Sequence, residues 1–367
     1  METIDVAVLG ATGTVGQKFI TLLEGHPYFR VRELVASDQS AGKPYAEACK
    51  WKQDRPIPES VASTIVKSTQ EPLESLLLFS GLDSSVAGEA ETAYAERGHL
   101  VVSNSKNHRM DPKVPLVVPE INAEHLALIE QQPYEGAIVT NPNCSTIFLV
   151  MALAPLHRAF GLEAVQVTTM QAISGAGYPG VSGMDIMGNV IPYISGEEEK
   201  VEEESLKILG DLDGSTVRHA ELDVSATCTR VPVLDGHTET VSFRLSRPAG
   251  IEDVRAALDD FRGLPQHRRL PSAPERPILM LDAPDRPQPA RDIWLEDGMA
   301  TMVGRLRECP VLDYRMVVLG HNTVRGAAGA SILNAETLVS EGYLANGRLH
   351  RRRSAAGYEE PVSTCCS

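Results

Sequence analysis

Apolar residues are spaced along this chain in two rhythms that change near its middle. Up to about residue 140, short apolar runs at 4–9, 31–36, 76–80, 99–103 and 137–140 alternate with stretches of helical period at 17–24, 84–96 and 123–131. That alternation predicts parallel strands covered by helices on both faces, and so an α/β fold whose N-terminal part is a Rossmann-type, doubly wound parallel sheet.

From residue 165 the runs lengthen and alternate, at 165–173, 226–233, 238–245, 299–306 and 313–319, with helical stretches at 201–209 and 252–262. Such strands predict a second α/β domain built on a mixed, largely antiparallel sheet. Prolines between residues 264 and 289 predict an irregular surface excursion, and 323–344 reads as one long helix. The tail 351–367 has the composition of a disordered segment. No internal repeat is present.

Charge narrows the function classes. The 367 residues carry 34 basic and 49 acidic side chains, a net charge of −15. This acidity argues against nucleic acid or an anionic membrane as partner, and predicts small anionic substrates held by a few local cations. No apolar run reaches membrane-spanning length and Met1-Glu2-Thr3 leads directly into the first strand, so the expectation is a soluble, cytoplasmic protein. Six cysteines without a C-x-x-C pair predict reduced thiols, and no His/Cys cluster has metal-ligand spacing.

The first strand ends in Gly10-Ala11-Thr12-Gly13-Thr14-Val15-Gly16, and a helical pattern follows. Glycines there let the backbone approach a pyrophosphate, while the helix N-terminus offers N–H groups to the anion. The spacing is G-x-x-G-x-x-G, and its position between strand and helix points to a dinucleotide site. About 20 residues on, where a ribose is read, stand Ser37-Asp38-Gln39-Ser40-Ala41-Gly42-Lys43. Asp38 suits a free 2′-hydroxyl and NAD; Ser37, Ser40 and Lys43 suit a 2′-phosphate and NADP.

Cys144 lies in Asn141-Pro142-Asn143-Cys144-Ser145-Thr146, between the run at 137–140 and an apolar helical pattern. A thiol at a helix N-terminus meets unpaired N–H groups and the positive end of the helix dipole, which favour thiolate, the form that attacks carbonyl carbon. Cys144 is thus a candidate nucleophile; the plainer alternative is a small buried hydrophobe.

These segments, together with residues 103–109, 171–177, 196–200 and 229–237, occur in order and resemble the aspartate-semialdehyde dehydrogenase family, in its archaeal and fungal branch. The resemblance implies NADPH-dependent reductive dephosphorylation of L-aspartyl 4-phosphate through a cysteine thioester, a step in making lysine, threonine, methionine and isoleucine. It implies Cys144 as nucleophile, His237 as its base and proton shuttle, and Gln171 as the residue orienting the acyl intermediate. Arg230 matches the arginine that grips the substrate carboxylate, a task suited to a planar guanidinium. Glu197 matches the partner of the ammonium, Lys200 and Arg109 the phosphate cations, and Asn107 falls in the same substrate motif as Arg109. Gly175 and Asn322 join the glycine loop and Ser37, Ser40 and Lys43 as cofactor-binding positions, Asn322 toward the nicotinamide. The implied layout is a dinucleotide-binding domain at 1–142, completed by the helix at 322–345, and a catalytic and dimerisation domain at 143–321, in a homodimer or homotetramer.

Rival readings are malonyl- or succinyl-CoA reductases of the same fold, N-acetylglutamyl-phosphate reductase, and a non-catalytic nucleotide sensor. The cations and Glu197 favour the aspartyl substrate over the thioesters, and a sensor needs none of Cys144, Gln171, Arg230 and His237.

Overall fold

A computed structural model of the protein describes residues 3–345 and 348–351, so all but the first residue of the tail at 351–367 lies outside the described residues. In the N-terminal part the chain runs β1 (Ile4–Leu9), α1 (Thr14–Leu23), β2 (Phe29–Val35), β3 (Leu77–Ser80), α2 (Ser84–Glu96), β4 (Leu100–Ser103) and β5 (Ala137–Thr140). The strands form one sheet in the order β2-β1-β3-β4-β5, parallel throughout. Every residue of β3, β4 and β5 is buried, which is why these strands read as unbroken apolar runs. The strand order reverses beside β1, and the crevice at the carboxyl end of β1 is where such sheets bind ligands.

Next come α3 (Cys144–Phe160), β6 (Leu162–Gln171), α4 (Glu197–Ile208), β7 (Asp223–Arg230), β8 (His237–Leu245), α5 (Ile251–Asp259), β9 (Ile278–Leu281), β10 (Thr301–Glu308) and β11 (Tyr314–Gly320). Their sheet has the order β9-β10-β11-β8-β6-β7. The three inner pairings are antiparallel and the two outermost parallel, so the mixed, largely antiparallel expectation holds. Alternate residues of β6, β7 and β8 are buried, and this inner face packs on α3, whose residues from Ser145 to Leu156 are all buried.

Two elements differ from expectation. The proline-rich stretch is not an irregular excursion: it contains β9, which extends the second sheet in parallel with β10, between short helices at Leu264–Arg268 and Pro289–Asp292. A four-residue edge strand tolerates prolines at its borders, and those prolines conceal it in the sequence. The C-terminal helix is also shorter than 322–345. A π-helical turn at Val324–Ala328 leads into α6 (Gly329–Ser340), which stops because Gly342 adopts φ +77. There the N–H of Gly342 donates to the Val339 carbonyl and that of Tyr343 to the Leu338 carbonyl, a Schellman closure that glycine makes possible. Ala328, Ile332, Ala335 and Leu338 pack into the same core as Val6, Val8 and Phe79 of the first sheet. Among the described residues no helix is long and apolar enough to cross a membrane.

Candidate active site

Asn143 sits before α3 and caps it: its side-chain oxygen accepts from the N–H groups of Ser145 (2.9 Å) and Thr146 (3.2 Å). Cys144 is therefore the first residue of the helix, half-buried at its N-terminus. Its Sγ lies 3.2 Å from Nε2 of His237, the buried first residue of β8. His237 Nδ1 accepts the N–H of Ala172 at 3.0 Å. That bond assigns the hydrogen of the neutral ring to Nε2, facing the sulfur.

Sheet register brings the remaining groups alongside. His237 pairs with Gly320, Thr238 with Met170 and Gln171 with Arg230, so Gly320, His237, Gln171 and Arg230 form one row across β11, β8, β6 and β7. Gly320 has no room for a side chain, since a Cβ there would collide with the Phe148 ring of α3. Arg230 donates from Nη1 to the carbonyl of Ala172 at 2.8 Å, so the Ala172 residue orients His237 with its N–H and Arg230 with its C=O. A Cβ on Gly175 would come within 2.9 Å of Arg230 Nη1 and 3.0 Å of His237 Nε2, which puts this glycine against the catalytic row.

Helix α4 contributes an internal face of charge. Glu197, Lys200, Glu204 and Lys207 recur at intervals of three, four and three, which aligns them on one side of a helix. Glu197 accepts from Asn143 Nδ2 (2.7 Å) and pairs with Lys200 (2.5 Å). Burial pushes its carboxyl up, but the charge of Lys200 and hydrogen bonds from Lys200, Asn143 and Gln171 outweigh it, holding Glu197 below the usual carboxylate range. Glu204 accepts from Arg109 Nη1 (2.9 Å) and from the Asn143 N–H (2.6 Å). Arg109 also donates to the Asn104 carbonyl at 2.6 Å.

The electrostatics revise one expectation. Burial pushes the Cys144 thiol up to about 12, Glu197 acting in the same direction against Arg230, Arg109 and Lys200. Burial, with Arg230 adding to it, lowers His237 to about 3. The resting pair is thus a neutral thiol beside a neutral imidazole, because desolvation of the sulfur outweighs the three cations around it.

Asn107 is exposed and not bonded into this cluster; it accepts from Ser105 Oγ and donates to the Ser84 carbonyl, fastening its loop to the start of α2. Asn322 is buried between β11 and the π-turn, accepting the Gly236 N–H and donating to Ser174 Oγ, both at 2.8 Å, so it braces two loops beside His237 and Gly175.

At the first sheet, Gly10 has φ +73, and a Cβ on Gly16 would lie 2.2 Å from the Gly10 carbonyl oxygen. Gly13 precedes α1 without a side-chain cap, so the N–H groups around Thr14 and Val15 remain for an anion. Ala11 donates to the Val35 carbonyl, bringing Thr12 and its neighbours beside the end of β2. Beyond that end, Ser37 and Ser40 close a turn and exposed Lys43 reaches back to the Gln39 carbonyl. This cradle fits a dinucleotide pyrophosphate.

Sequence reasoning does not reach Glu204 or Lys207, nor the contact of Gly326, a small residue suited to close packing, with Cys144. Their three-four-three spacing marks Glu204 and Lys207 as facing the same way as Glu197, but the acidic run around them looks like a solvated face. Gly326 carries no local signal for its contact with Cys144.

Two family models match the chain: one described as semialdehyde dehydrogenase, NAD binding domain, over residues 5–129, and one described as semialdehyde dehydrogenase, dimerisation domain, over 153–325. The aspartate-semialdehyde dehydrogenase of Methanothermobacter thermautotrophicus is 51% identical over 343 residues, covering 91% of this chain and 99% of the relative. That of Cryptococcus neoformans var. neoformans is 49% identical over 358 residues, covering 93% and 98%. A crystal structure of aspartate semialdehyde dehydrogenase with NADP from Candida albicans superposes with a TM-score of 0.87 at 45% identity, covering 94% of this chain and 100% of that one.

Proposed function

The chain belongs to the aspartate-semialdehyde dehydrogenase family, and from that premise we propose that it reduces L-aspartyl 4-phosphate to aspartate semialdehyde and phosphate with NADPH, through a thioester on Cys144. The observation that carries this reading is the 3.2 Å approach of Cys144 Sγ to His237 Nε2 at a capped helix start, beside Arg230 and Glu197. Cys144 attacks the acyl-phosphate carbonyl, the carbon–oxygen bond to phosphate breaks, and phosphate leaves as hydrogenphosphate with the thiol's proton. Of the N–H groups that open α3, those of Ser145 and Thr146 are taken by the Asn143 side chain, which leaves that of Cys144 for the oxyanion that forms. NADPH held on the glycine cradle would supply the hydride that converts the thioester to the anion of a thiohemiacetal. Collapse to the aldehyde returns the sulfur as thiolate, which His237 Nε2–H faces as a hydrogen-bond donor, and a proton from solvent restores the resting thiol.

Arg230 spends one N–H on Ala172 and keeps the rest of its fork for the substrate carboxylate. Glu197 is the partner of the ammonium, Lys200 and Arg109 the cations on the phosphate side, and Gln171, beside His237 in the row, orients the acyl group. Within the span of the dimerisation model, exposed Tyr178, Met184, Met187, Val190 and Tyr193 support assembly into a homodimer or homotetramer.

The test is phosphate-dependent reduction of NADP with aspartate semialdehyde, run beside malonyl-CoA with NADPH. Turnover of the first pair and not the second is expected. Cys144→Ala is expected to abolish turnover while nucleotide binding, read by fluorescence titration, persists; turnover in that variant would remove the covalent step.

A further inference from the structure

Asn143 opens the nucleophile's helix, and its own N–H points away from that helix. In many helices an acid two or three positions after the cap reaches back to satisfy this N–H. Here those positions are Ser145 and Thr146, which carry no carboxylate, and the carboxylate comes from another helix: Glu204 Oε2 accepts the Asn143 N–H at 2.6 Å. Its other oxygen accepts from Arg109 Nη1 at 2.9 Å. Three residues further along α4, Lys207 Nζ donates to the carbonyls of Arg109 (2.6 Å), Asp111 (2.8 Å) and Val114 (2.9 Å). Arg109 is therefore gripped at its guanidinium by Glu204 and at its carbonyl by Lys207, and both of these residues are only 1% exposed.

We infer that Glu204 is a positioning residue: one carboxylate fixes the spacing between the Arg109 guanidinium on the phosphate side and the first turn of the helix that carries Cys144. Given the proposed reaction, on which this inference rests, that spacing sets how the acyl-phosphate carbonyl meets the sulfur. The same carboxylate neutralises Arg109, so the charge Arg109 offers to phosphate is tempered, while its direction is held. A residue that only stabilised the fold would impair every kinetic constant together. Glu204 is instead expected to act on kcat and on the KM for phosphate while leaving the KM for NADP alone.

The experiment measures kcat and the KM values for phosphate, aspartate semialdehyde and NADP in the oxidative direction for wild type, Glu204→Gln and Glu204→Asp. Glutamine keeps the shape but offers one acceptor to two donors and releases Arg109 from its counter-charge. Glu204→Gln is expected to lose kcat on the order of 100-fold, as for a small misplacement of reacting groups, with the KM for phosphate lowered and that for NADP unchanged. Glu204→Asp keeps the charge with a shorter reach, and is expected to restore the wild-type phosphate KM while recovering only part of kcat. Unchanged kcat in Glu204→Gln, or a rise in all three KM values with a lowered melting temperature, would overturn the inference. If Glu204→Gln does not fold, Glu204→Asp decides alone: lowered kcat at wild-type NADP KM supports the role, and wild-type kcat removes it. Absence of phosphate-dependent turnover in the wild type would strike the proposed reaction instead, which separates the two failures.

Discussion

Gly326 and Cys144 meet so closely that a β-carbon on Gly326 would stand 2.9 Å from the β-carbon of Cys144 and 3.3 Å from the Phe148 ring. Carbon atoms in contact prefer about 3.5–4.0 Å, so no side chain fits without displacing the nucleophile or the π-turn that carries Gly326. Gly326→Ala is expected to cost about 1–3 kcal/mol of stability from overpacking, and to lower kcat on the order of 100-fold. Steady-state kinetics with denaturant unfolding checks both; wild-type turnover would show that Cys144 has slack.

Arg230 is held edge-on by the Ala172 carbonyl, which aims its planar fork. Arg230→Lys keeps the charge and loses the fork. The expected loss is about 10- to 100-fold in kcat/KM for aspartate semialdehyde, the worth of one charged hydrogen bond, with the KM for NADP unaltered. An unchanged kcat/KM would take the carboxylate away from Arg230.

Buried imidazoles make the fold sensitive to acid. Burial lowers His125 to about 4, His237 to about 3 and His321 to about 4, from an ordinary 6.5. Below 6.5 the unfolded chain takes up protons that the folded protein refuses, so stability falls as the pH drops from 6.5 toward 4. For His125 alone the loss is on the order of 3 kcal/mol. His125 lies outside the catalytic row, bonded to Asn122 and the Gly210 carbonyl. His125→Gln is therefore expected to flatten the acid limb of a melting-temperature profile, and an unchanged slope would count against this titration.

Arg325 and Glu120 form an ion pair at 2.8 Å with both side chains fully buried, joining the π-turn to the segment before β5. Removing one partner leaves the other charge without water or counter-charge. Glu120→Ala is expected to destabilise by about 3–5 kcal/mol, read as a lowered urea midpoint; a shift within error would mean that the pair is already relieved by water.

Much of this was legible beforehand because it follows from short-range physics. The glycine positions, the capped start at Cys144, the change from short buried runs to alternating strands, and the order of the family's segments are all readable within a few residues of each other. Strand β9 was not, since prolines on both sides hide a run of four apolar residues whose partner, β10, begins 20 positions later. Nor was the inner face of α4, because Glu204 among its acidic neighbours looks solvated until Arg109 and Asn143 are seen to face it.

The sequence by itself determined where a dinucleotide loop and a helix-borne thiol would form, since glycine sterics, capping and periodicity act between near neighbours. Tertiary structure alone decided that the thiol meets an imidazole 93 positions away, that Ala172 turns that imidazole's hydrogen toward the sulfur, and that both groups rest uncharged. Those outcomes depend on which side chains are packed together and stripped of water, and desolvation is a property of the assembled interior that no local segment carries.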